Sequence, residues 1–454
     1  MLKNTLAASA AWGIVLFSPL VSSMATASEV DIKQLRTEIQ GMKQSYETRI
    51  KELEAKLYSM ENSRKSAQTT ELPSTTKDSK GNSSKSDNAF NPAIGVVLNG
   101  QYASFSNADS NIKGFSVPEE GARGSEGLKI GESELNLSAN IDNKFKGRIT
   151  TSFVNEDGED GVEIEEAFIQ TLSGAGLPQG MSLKAGRALW TLGYLNEQHA
   201  HNDDFADRPL PYRVFLNKSY NDDGAEVSYV LPLDFYTEIG GGIFRGDDYP
   251  FGNASGAGKG AWSGFGRVGG DIGENQNWRL GAYVLSGDTA ERKGSDDVVK
   301  FSGDTTLYAT DLRYSWAPTG NAKEQELLLQ AEYFWRKEKG TYEDSDAATG
   351  AVGFDGNSSG WYAQTVYKFD PKWRVGYRYS QLQSPSTPVG LTGSALDSEG
   401  HNPKAHAVMV DWSNSEFSRV RLQYNHENMA KDQRDNQFLV QYIMSLGAHG
   451  AHQY

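Results

Sequence analysis

The sequence predicts an all-β transmembrane barrel of about sixteen antiparallel strands, preceded by an N-terminal α-helical coiled coil. Three observations lead to this fold class. Apolar and polar residues alternate with period two through much of residues 92–454, and the connections between these runs are short and long in turn. A narrow stripe of apolar residues, spaced three and four apart, occupies residues 28–60.

The composition excludes several other classes of protein. The 454 residues include no Cys, which rules out structural disulfides, Cys-ligated zinc and thiol catalysis. The formal net charge of −15 argues against a nucleic-acid partner, because such proteins carry a clustered basic face. A hydrophobic share of 37% is too low for a bundle of membrane-spanning helices, whereas a barrel strand needs an apolar residue only at every second position.

Residues 1–27 have the pattern of an export signal peptide. Lys3 precedes an apolar run from Ala7 to Phe17, and Ala25 to Ala27 form a small-x-small cleavage site. The alternative, a retained membrane anchor, is disfavoured by the shortness of the apolar run. Export without Cys suits a Gram-negative envelope, so we expect the cell outer membrane, with the N-terminal segment of the mature chain in the periplasm.

Residues 28–60 are predicted to form a periplasmic coiled coil, and residues 61–91, rich in Ser, Thr, Lys and Asn, a flexible linker. A single helix cannot bury such a narrow stripe alone, so the segment predicts self-association. A solvated helix lying on the barrel or the cell wall is the alternative. The stripe consists of Ile32, Leu35, Ile39, Met42, Tyr46, Ile50, Leu53, Leu57 and Met60.

Residues 92–454 are predicted to form the barrel domain. Tight connections, such as 142–144 and 370–372, alternate with long ones, such as 190–223 and 383–405, which is the asymmetry of an outer-membrane barrel. The candidate strands lie near 94–105, 128–142, 145–155, 162–172, 183–189, 224–231, 235–246, 264–272, 278–288, 306–316, 326–337, 359–369, 373–382, 406–413, 418–426 and 436–446.

Four stretches carry a resemblance to a known family: Leu183–Arg187, Gly193–His201, Tyr220–Gly224 and Tyr442–His452. The chain resembles the phosphate-selective porin O/P family of outer-membrane porins, and its coiled coil resembles the N-terminal extension of the dicarboxylate-porin (DcaP-like) relatives. The resemblance covers most of residues 92–454 and implies a trimer of sixteen-stranded barrels with inward-folded loops that form a constriction. It does not imply phosphate, because the binding lysines of that family are not matched here residue by residue.

Placing the more apolar face of each strand against lipid assigns a basic set to the lumen, because a charge on the lipid face costs about 2–4 kcal/mol at mid-bilayer. This basic set is Lys146, Arg148, Arg279, Arg313, Arg336, Arg374, Arg378, Arg419 and Arg421. Lumen acids are fewer, namely Glu132, Glu134, Asp311 and Glu332. Guanidinium groups offer bidentate partners to small anions, but the same arginines can instead pair with acids and brace the barrel. The ambiguous faces of two strands leave Glu163, Glu165, Glu166, Lys184 and Arg187 unassigned.

The longest connection, residues 190–223, holds apolar residues that would be exposed to water if this were a solvated outer loop. We therefore expect it to fold into the pore and to set the bore. The candidate constriction residues are Phe205, Arg208, Tyr212 and Arg213. Its imidazole and carboxylate groups also suit a metal such as zinc, with His199, His201, Asp203 and Asp204 as candidate ligands. Hydrogen-bonded bracing of the loop is the alternative.

The expected function is an outer-membrane porin for small solutes, biased toward anions such as phosphate or dicarboxylates. A zinc-linked uptake channel and an envelope-tethering structural protein are the alternatives. No nucleophile elbow, phosphate-binding loop or metalloprotease motif occurs in the sequence, so we expect no enzyme and no cofactor. Expected partners are further copies in a homotrimer, the lipid bilayer and lipopolysaccharide, peptidoglycan through the coiled coil, and small anionic solutes, but not nucleic acid.

Overall fold

The computed structural model describes residues 92–156, 159–252, 260–295 and 297–447. The predicted signal peptide, coiled coil and linker lie outside the described residues, as do the last residues of the tail that carries part of the family resemblance. Within the described part of the chain, no helix has the length and apolar character needed to cross a membrane.

Seventeen strand segments of the described residues form a single antiparallel sheet that closes on itself. Because β2 and β3 both pair with β1, they are two parts of one interrupted strand, and the barrel has sixteen strands, as predicted. Pairing of β1 with β17, from Gly95 opposite Gly447 onward, completes the closure. The strands are β1 (Ala93–Phe105), β2 (Gly127–Ile130), β3 (Ser133–Asn140), β4 (Phe145–Glu156), β5 (Glu159–Thr171), β6 (Met181–Leu189), β7 (Asn221–Val230), β8 (Tyr236–Phe244), β9 (Ala261–Asp271), β10 (Gln276–Lys293), β11 (Val299–Trp316), β12 (Glu326–Asp344), β13 (Val352–Asp370), β14 (Trp373–Gln383), β15 (Lys404–Ser415), β16 (Ser418–Ala430) and β17 (Gln433–Gly447).

The two faces of the sheet have opposite chemistry. On β16, Leu422 and Tyr424 are 47% and 46% exposed on the outside, whereas Arg421 and Gln423, at the alternate positions, are 0% and 1% exposed on the inside. Similar exposed apolar residues occur on strands all round the barrel. Apolar residues outside and charged residues inside is the reverse of a water-soluble protein, and it is what hydrocarbon contact requires.

The connections differ in length between the two rims of the barrel. At one rim most turns are tight. In the turn between β3 and β4, Asp142 accepts hydrogen bonds from the backbone N–H groups of Lys144 and Phe145 at 2.7 and 2.9 Å. At the other rim four connections are long, namely residues 106–126, 190–220, 245–260 and 384–403, whereas others, such as 431–432, are short. The predicted alternation of connection lengths is therefore confirmed at these four connections. It is wrong for 289–305 and 338–358, which shorten to 294–298 and 345–351 because the strands on either side are longer than predicted.

Several strands extend further toward the long-loop rim than the sequence predicts. The clearest case is β12, which ends at Asp344 rather than near residue 337, because its outer end pairs with β11 and β13. Phe301, Tyr342, Phe354 and Leu391 pack into a small apolar core at this outer end. That core gives the extensions a packing partner which the sequence pattern does not reveal.

The connection between β6 and β7, residues 190–220, folds into the barrel, and we call it the inward loop. It contains two short 3₁₀ turns, Leu195–Glu197 and Ala200–Asn202, and one short α-helix, Leu210–Phe215. Every residue of that helix is buried. The loop side chains pack against lumen-facing residues such as Phe334 and Tyr362, so the largest apolar core lies between the inward loop and the barrel wall.

Candidate pore lining and inward-loop site

One carboxylate on β12 fastens the start of the inward loop to the wall. Glu332, 2% exposed, accepts hydrogen bonds from the backbone N–H groups of Tyr194 and Leu195, both at 3.2 Å. It also accepts from the hydroxyl groups of Tyr212 at 2.9 Å and Tyr362 at 2.6 Å. The sequence places Glu332 in the lumen but gives no sign of this anchoring role.

Three predicted lumen arginines surround one aspartate on β15. Asp411 is fully buried and pairs with Arg421 at 2.8 Å, with Arg374 and, at 4.0 Å, with Arg419. Arg374 also pairs with Asp204 of the inward loop at 2.8 Å. The arginines of this wall thus neutralise wall and loop carboxylates, which is the bracing arrangement.

Of the six other predicted basic residues, four also pair with an acid. Arg148 pairs with Glu166 at 3.5 Å, Arg279 with Asp311 at 3.1 Å, Arg336 with Glu338 at 3.5 Å, and Arg378 with Asp207 at 2.7 Å. Within the described part of the chain, neither Lys146 nor Arg313 has an acidic partner within 4.0 Å. The guanidinium of Arg313 instead lies 4.5 Å from the ring centre of Tyr194 in the inward loop.

The predicted constriction residues all lie inside the barrel. Arg208 donates to the backbone carbonyls of Leu195 and Gln198 at 2.7 and 2.6 Å, and so closes the inward loop on itself. Arg213 donates to Glu427 on β16 at 2.9 Å. These contacts of the two arginines fix the position of the loop. The other two constriction residues, Phe205 and Tyr212, contribute packing and a further hydrogen bond. Phe205 packs against Leu328, Val366, Ala407 and Met409, and Tyr212 donates to the anchoring carboxylate described above.

The two loop histidines are buried among wall glutamates. His199 contacts Glu165 through Nδ1 at 2.8 Å and Glu166 through Nε2 at 3.0 Å, and His201 contacts Glu134 through Nδ1 at 2.7 Å. Burial alone would lower the pKa of His199, but the neighbouring Glu134, Glu165 and Glu166 outweigh it and hold that pKa well above its ordinary value. His199 therefore forms a tightly paired imidazolium–carboxylate group with these glutamates.

The aspartates of the predicted metal set are paired with arginines. Asp203 pairs with Arg208 at 2.6 Å, and burial raises the pKa of this aspartate to about 7 although Arg208 opposes the shift. Asp204 pairs with Arg374, as described above. The residues that are gathered at a distance suitable for a metal ion are instead Glu132, Glu134, Glu165 and His199, with one potential ligand atom from each within 4.8 Å of the others. We call these four residues the histidine–glutamate cluster.

Two strand irregularities turn the glutamates of this cluster inward. The break between β2 and β3 changes the side-chain parity, so that Ile130 faces outward while Glu134, four residues later, faces the lumen. On β5, Thr150 and Thr151 of β4 oppose Glu166 and Ile164, which leaves Glu165 as the extra residue of a bulge. Bulges commonly re-aim side chains next to functional sites. The sequence does contain a signal for the break, because the apolar residues change from even positions (Leu128, Ile130) to odd positions (Leu135, Leu137). Predicting one continuous strand over 128–142 overlooks this change.

No protein-family model matches the chain. An uncharacterized protein of Aquifex aeolicus (strain VF5) is 29% identical over 395 residues, which is 81% of each chain.

Among solved structures, the outer membrane channel DcaP of Acinetobacter baumannii has a TM-score of 0.48 at 12% identity, covering 78% of this chain and 97% of that one. The anion-selective porin from Comamonas acidovorans has a TM-score of 0.49 at 12% identity, covering 78% and 99%. OmpF of Salmonella typhi in complex with daunomycin has a TM-score of 0.49 at 11% identity, covering 79% and 98%. The resemblance to the phosphate-selective porin O/P family stays a prediction.

Proposed function

We propose that this chain is an outer-membrane channel for small solutes whose bore is set by the inward loop. The observation that carries the proposal is the closed sixteen-stranded barrel with an apolar outer face and a charged inner face. Barrels of about sixteen strands enclose a lumen wider than the wall side chains fill, so an inserted loop narrows the passage without requiring a new wall. Small solutes would cross such a lumen by passive diffusion.

The lumen is proposed to favour anions through the cations that no carboxylate neutralises. Lys146 and Arg313 make no ion pair within the described residues, and neither does Lys184, whose ammonium lies 5.4 Å from the ring centre of Trp190. A solvated cation held near an aromatic face keeps its field available to a passing solute. Phosphate and dicarboxylates are the solutes that such isolated charges attract, and partial solvation keeps the binding weak enough for release.

The test is the reversal potential of the refolded protein in a planar bilayer with a salt gradient. We expect anion preference, and we expect Lys146→Gln, Lys184→Gln and Arg313→Gln each to reduce it. Lys323→Gln, an exposed turn residue, is the matched control and should leave the selectivity unchanged. Cation preference would remove the anion proposal, and absence of conductance would remove the channel.

Two further proposals rest on other parts of the chain. A zinc-linked uptake channel that uses loop aspartates gains no support, because Asp203 and Asp204 are paired with arginines. Envelope tethering, contact with peptidoglycan and trimer formation depend partly on residues 28–60, outside the described part, and stay predictions. Deleting residues 28–91 is expected to leave the conductance intact and to remove any association with the cell wall.

A further inference from the structure

We propose that the histidine–glutamate cluster binds a divalent cation of the zinc class, at the point where the inward loop meets β3 and β5. This site is independent of whether the barrel conducts. It also differs from the ligand set expected from the sequence, because its oxygen atoms come from the barrel wall rather than from the aspartates of the loop.

The geometry brings four ligand atoms from three separate segments together. His199 comes from the inward loop, Glu165 from the bulge of β5, and Glu132 and Glu134 from the interrupted β2–β3 strand. Zinc bonds of about 2.0–2.2 Å to nitrogen and oxygen place neighbouring ligand atoms about 3.5 Å apart in a tetrahedron. The ligand atoms lie within 4.8 Å of one another, so small side-chain rotations would bring them to that shell.

Two buried polar atoms beside the cluster have no hydrogen-bond partner among the described residues, and they are an independent observation that points to a ligand. Ser152, 1% exposed, lies opposite Glu134 on β3 and opposite Glu163 on β5, so its hydroxyl shares their lumen-facing side. His201, 4% exposed, leaves its Nε2 without a partner. Buried polar atoms of a native structure normally have partners, and an ion with its bound water supplies them.

The ring of His201 belongs to the same surroundings. It lies nearly parallel to the ring of His199, with 5.8 Å between ring centres and 17° between planes, and its Nδ1 contacts Glu134. A cation held by Glu134 and His199 would therefore meet a second imidazole at its edge. This places His201 as a positioning residue that orients the Glu134 carboxylate.

The charge around the cluster favours a cation. Four carboxylates converge here, those of Glu132, Glu134, Glu165 and Glu166. Among the described residues, His199 contacts Glu165 and Glu166, and Arg148 lies 3.5 Å from Glu166, so the carboxylates outnumber these two cations. A metal ion that binds His199 displaces the proton of the imidazolium, so binding is expected to release a proton. Buried charges in proteins are paired or coordinate metals, and a divalent ion would offset the excess negative charge.

The donor set selects the class of metal. One imidazole with three carboxylates, and no thiolate, matches zinc and its borderline neighbours. Calcium and magnesium prefer sites built from oxygen atoms alone, with six or more of them for calcium. Because His199 belongs to the loop and the glutamates to the wall, the bound ion would fasten the inward loop to the barrel.

The test uses the refolded full-length mature protein in detergent at neutral pH, first treated with a chelator and passed over a desalting column. Titration with zinc chloride in a calorimeter is expected to show one zinc per chain. The double variant Glu132→Gln with Glu165→Gln and the single variant His199→Gln are each expected to weaken binding at least tenfold. Glu343→Gln with His426→Gln, two substitutions of the same types outside the cluster, is the matched control.

Folding of each variant is checked by heat-modifiable migration on gels, so that loss of zinc is not mistaken for loss of the barrel. Cobalt titrated in place of zinc gives a second readout, since a visible absorption band typical of four-coordinate nitrogen and oxygen ligands is expected only with His199 present. The proposal is overturned if the folded wild type binds no zinc. It is equally overturned if cluster variants and control bind zinc alike, or if calcium competes as strongly as zinc.

Discussion

Replacing Glu332 with Ala should release the beginning of the inward loop from the barrel wall. The substitution removes the acceptor of three loop donors, the backbone N–H groups of Tyr194 and Leu195 and the hydroxyl of Tyr212. It also removes the acceptor of the wall hydroxyl of Tyr362. The fold of β12 does not depend on this side chain, because its backbone ladders to β11 and β13 remain.

The magnitude follows from the kind of hydrogen bond that is lost. A hydrogen bond to a neutral acceptor contributes about 0.5–1.5 kcal/mol and one to an ionised acceptor about 1.5–3 kcal/mol, and water entering the space left by the side chain recovers part of the loss. For three coupled loop contacts we therefore expect about 3–5 kcal/mol of weaker docking. Since about 1.4 kcal/mol is a factor of ten, the undocked population should rise at least about 100-fold.

Hydrogen exchange read by mass spectrometry measures this population directly. In peptides that cover residues 193–198, amide exchange should become at least about 100-fold faster in Glu332→Ala, because exchange tracks the opening equilibrium. Glu332→Gln should lie between the two, since its amide retains one acceptor oxygen where the carboxylate has two. Glu343→Ala, an exposed change on the same strand, should match the wild type.

The reasoning would be refuted if Glu332→Ala and Glu343→Ala showed the same exchange in residues 193–198 while both remained folded. Faster exchange that spread equally through β11, β12 and β13 would also contradict it, because it would mean that Glu332 supports the barrel rather than the loop.

Three further outcomes are expected. Asp411→Asn leaves three arginines without their shared carboxylate and should lower the free energy of unfolding in urea by about 3–5 kcal/mol. Phe205→Ala opens a cavity beneath the inward loop and should cost about 3–5 kcal/mol, whereas Phe235→Ala, at an exposed turn, should cost much less; thermal melts compare them. Burial raises the pKa of Asp248, in a long outer connection, to about 6, so the folded state loses stability as the pH rises from about 4 to about 6. After allowance for solvent screening, Asp248→Asn should raise the free energy of unfolding by about 1 kcal/mol at pH 7.5 and leave it unchanged at pH 4. Thermal melts at the two pH values measure the difference.

Much of the barrel could be predicted because its pattern is local. A strand between lipid and lumen must alternate, so Leu422 and Tyr424 against Arg421 and Gln423 already reveal both faces of β16. Above the lipid band this constraint ends. The outer part of β12, Lys337 to Thr341, has no apolar alternation, so no local pattern predicts that the strand continues there.

The site could be predicted only in part, because its contacts depend on how a long loop folds back. The sequence identifies a lumen carboxylate at Glu332 but not the loop N–H groups that it binds, which lie more than 130 residues away along the chain. The sequence groups Asp203 and Asp204 with His199 as metal ligands, whereas in the structure these aspartates form ion pairs with Arg208 and Arg374. The histidine–glutamate cluster depends on a strand break and a bulge, which change the direction of single side chains without changing the composition.

Single-channel conductance of the refolded protein, compared with a variant whose residues 199–217 are replaced by a short Gly-Ser linker, tests most directly whether the inward loop sets the bore of a membrane barrel. We expect the wild type to form narrow, regular channels and the shortened variant to conduct several-fold more current through a barrel that still folds. Equal conductance in the two folded proteins, or the absence of channels in both, would contradict this account.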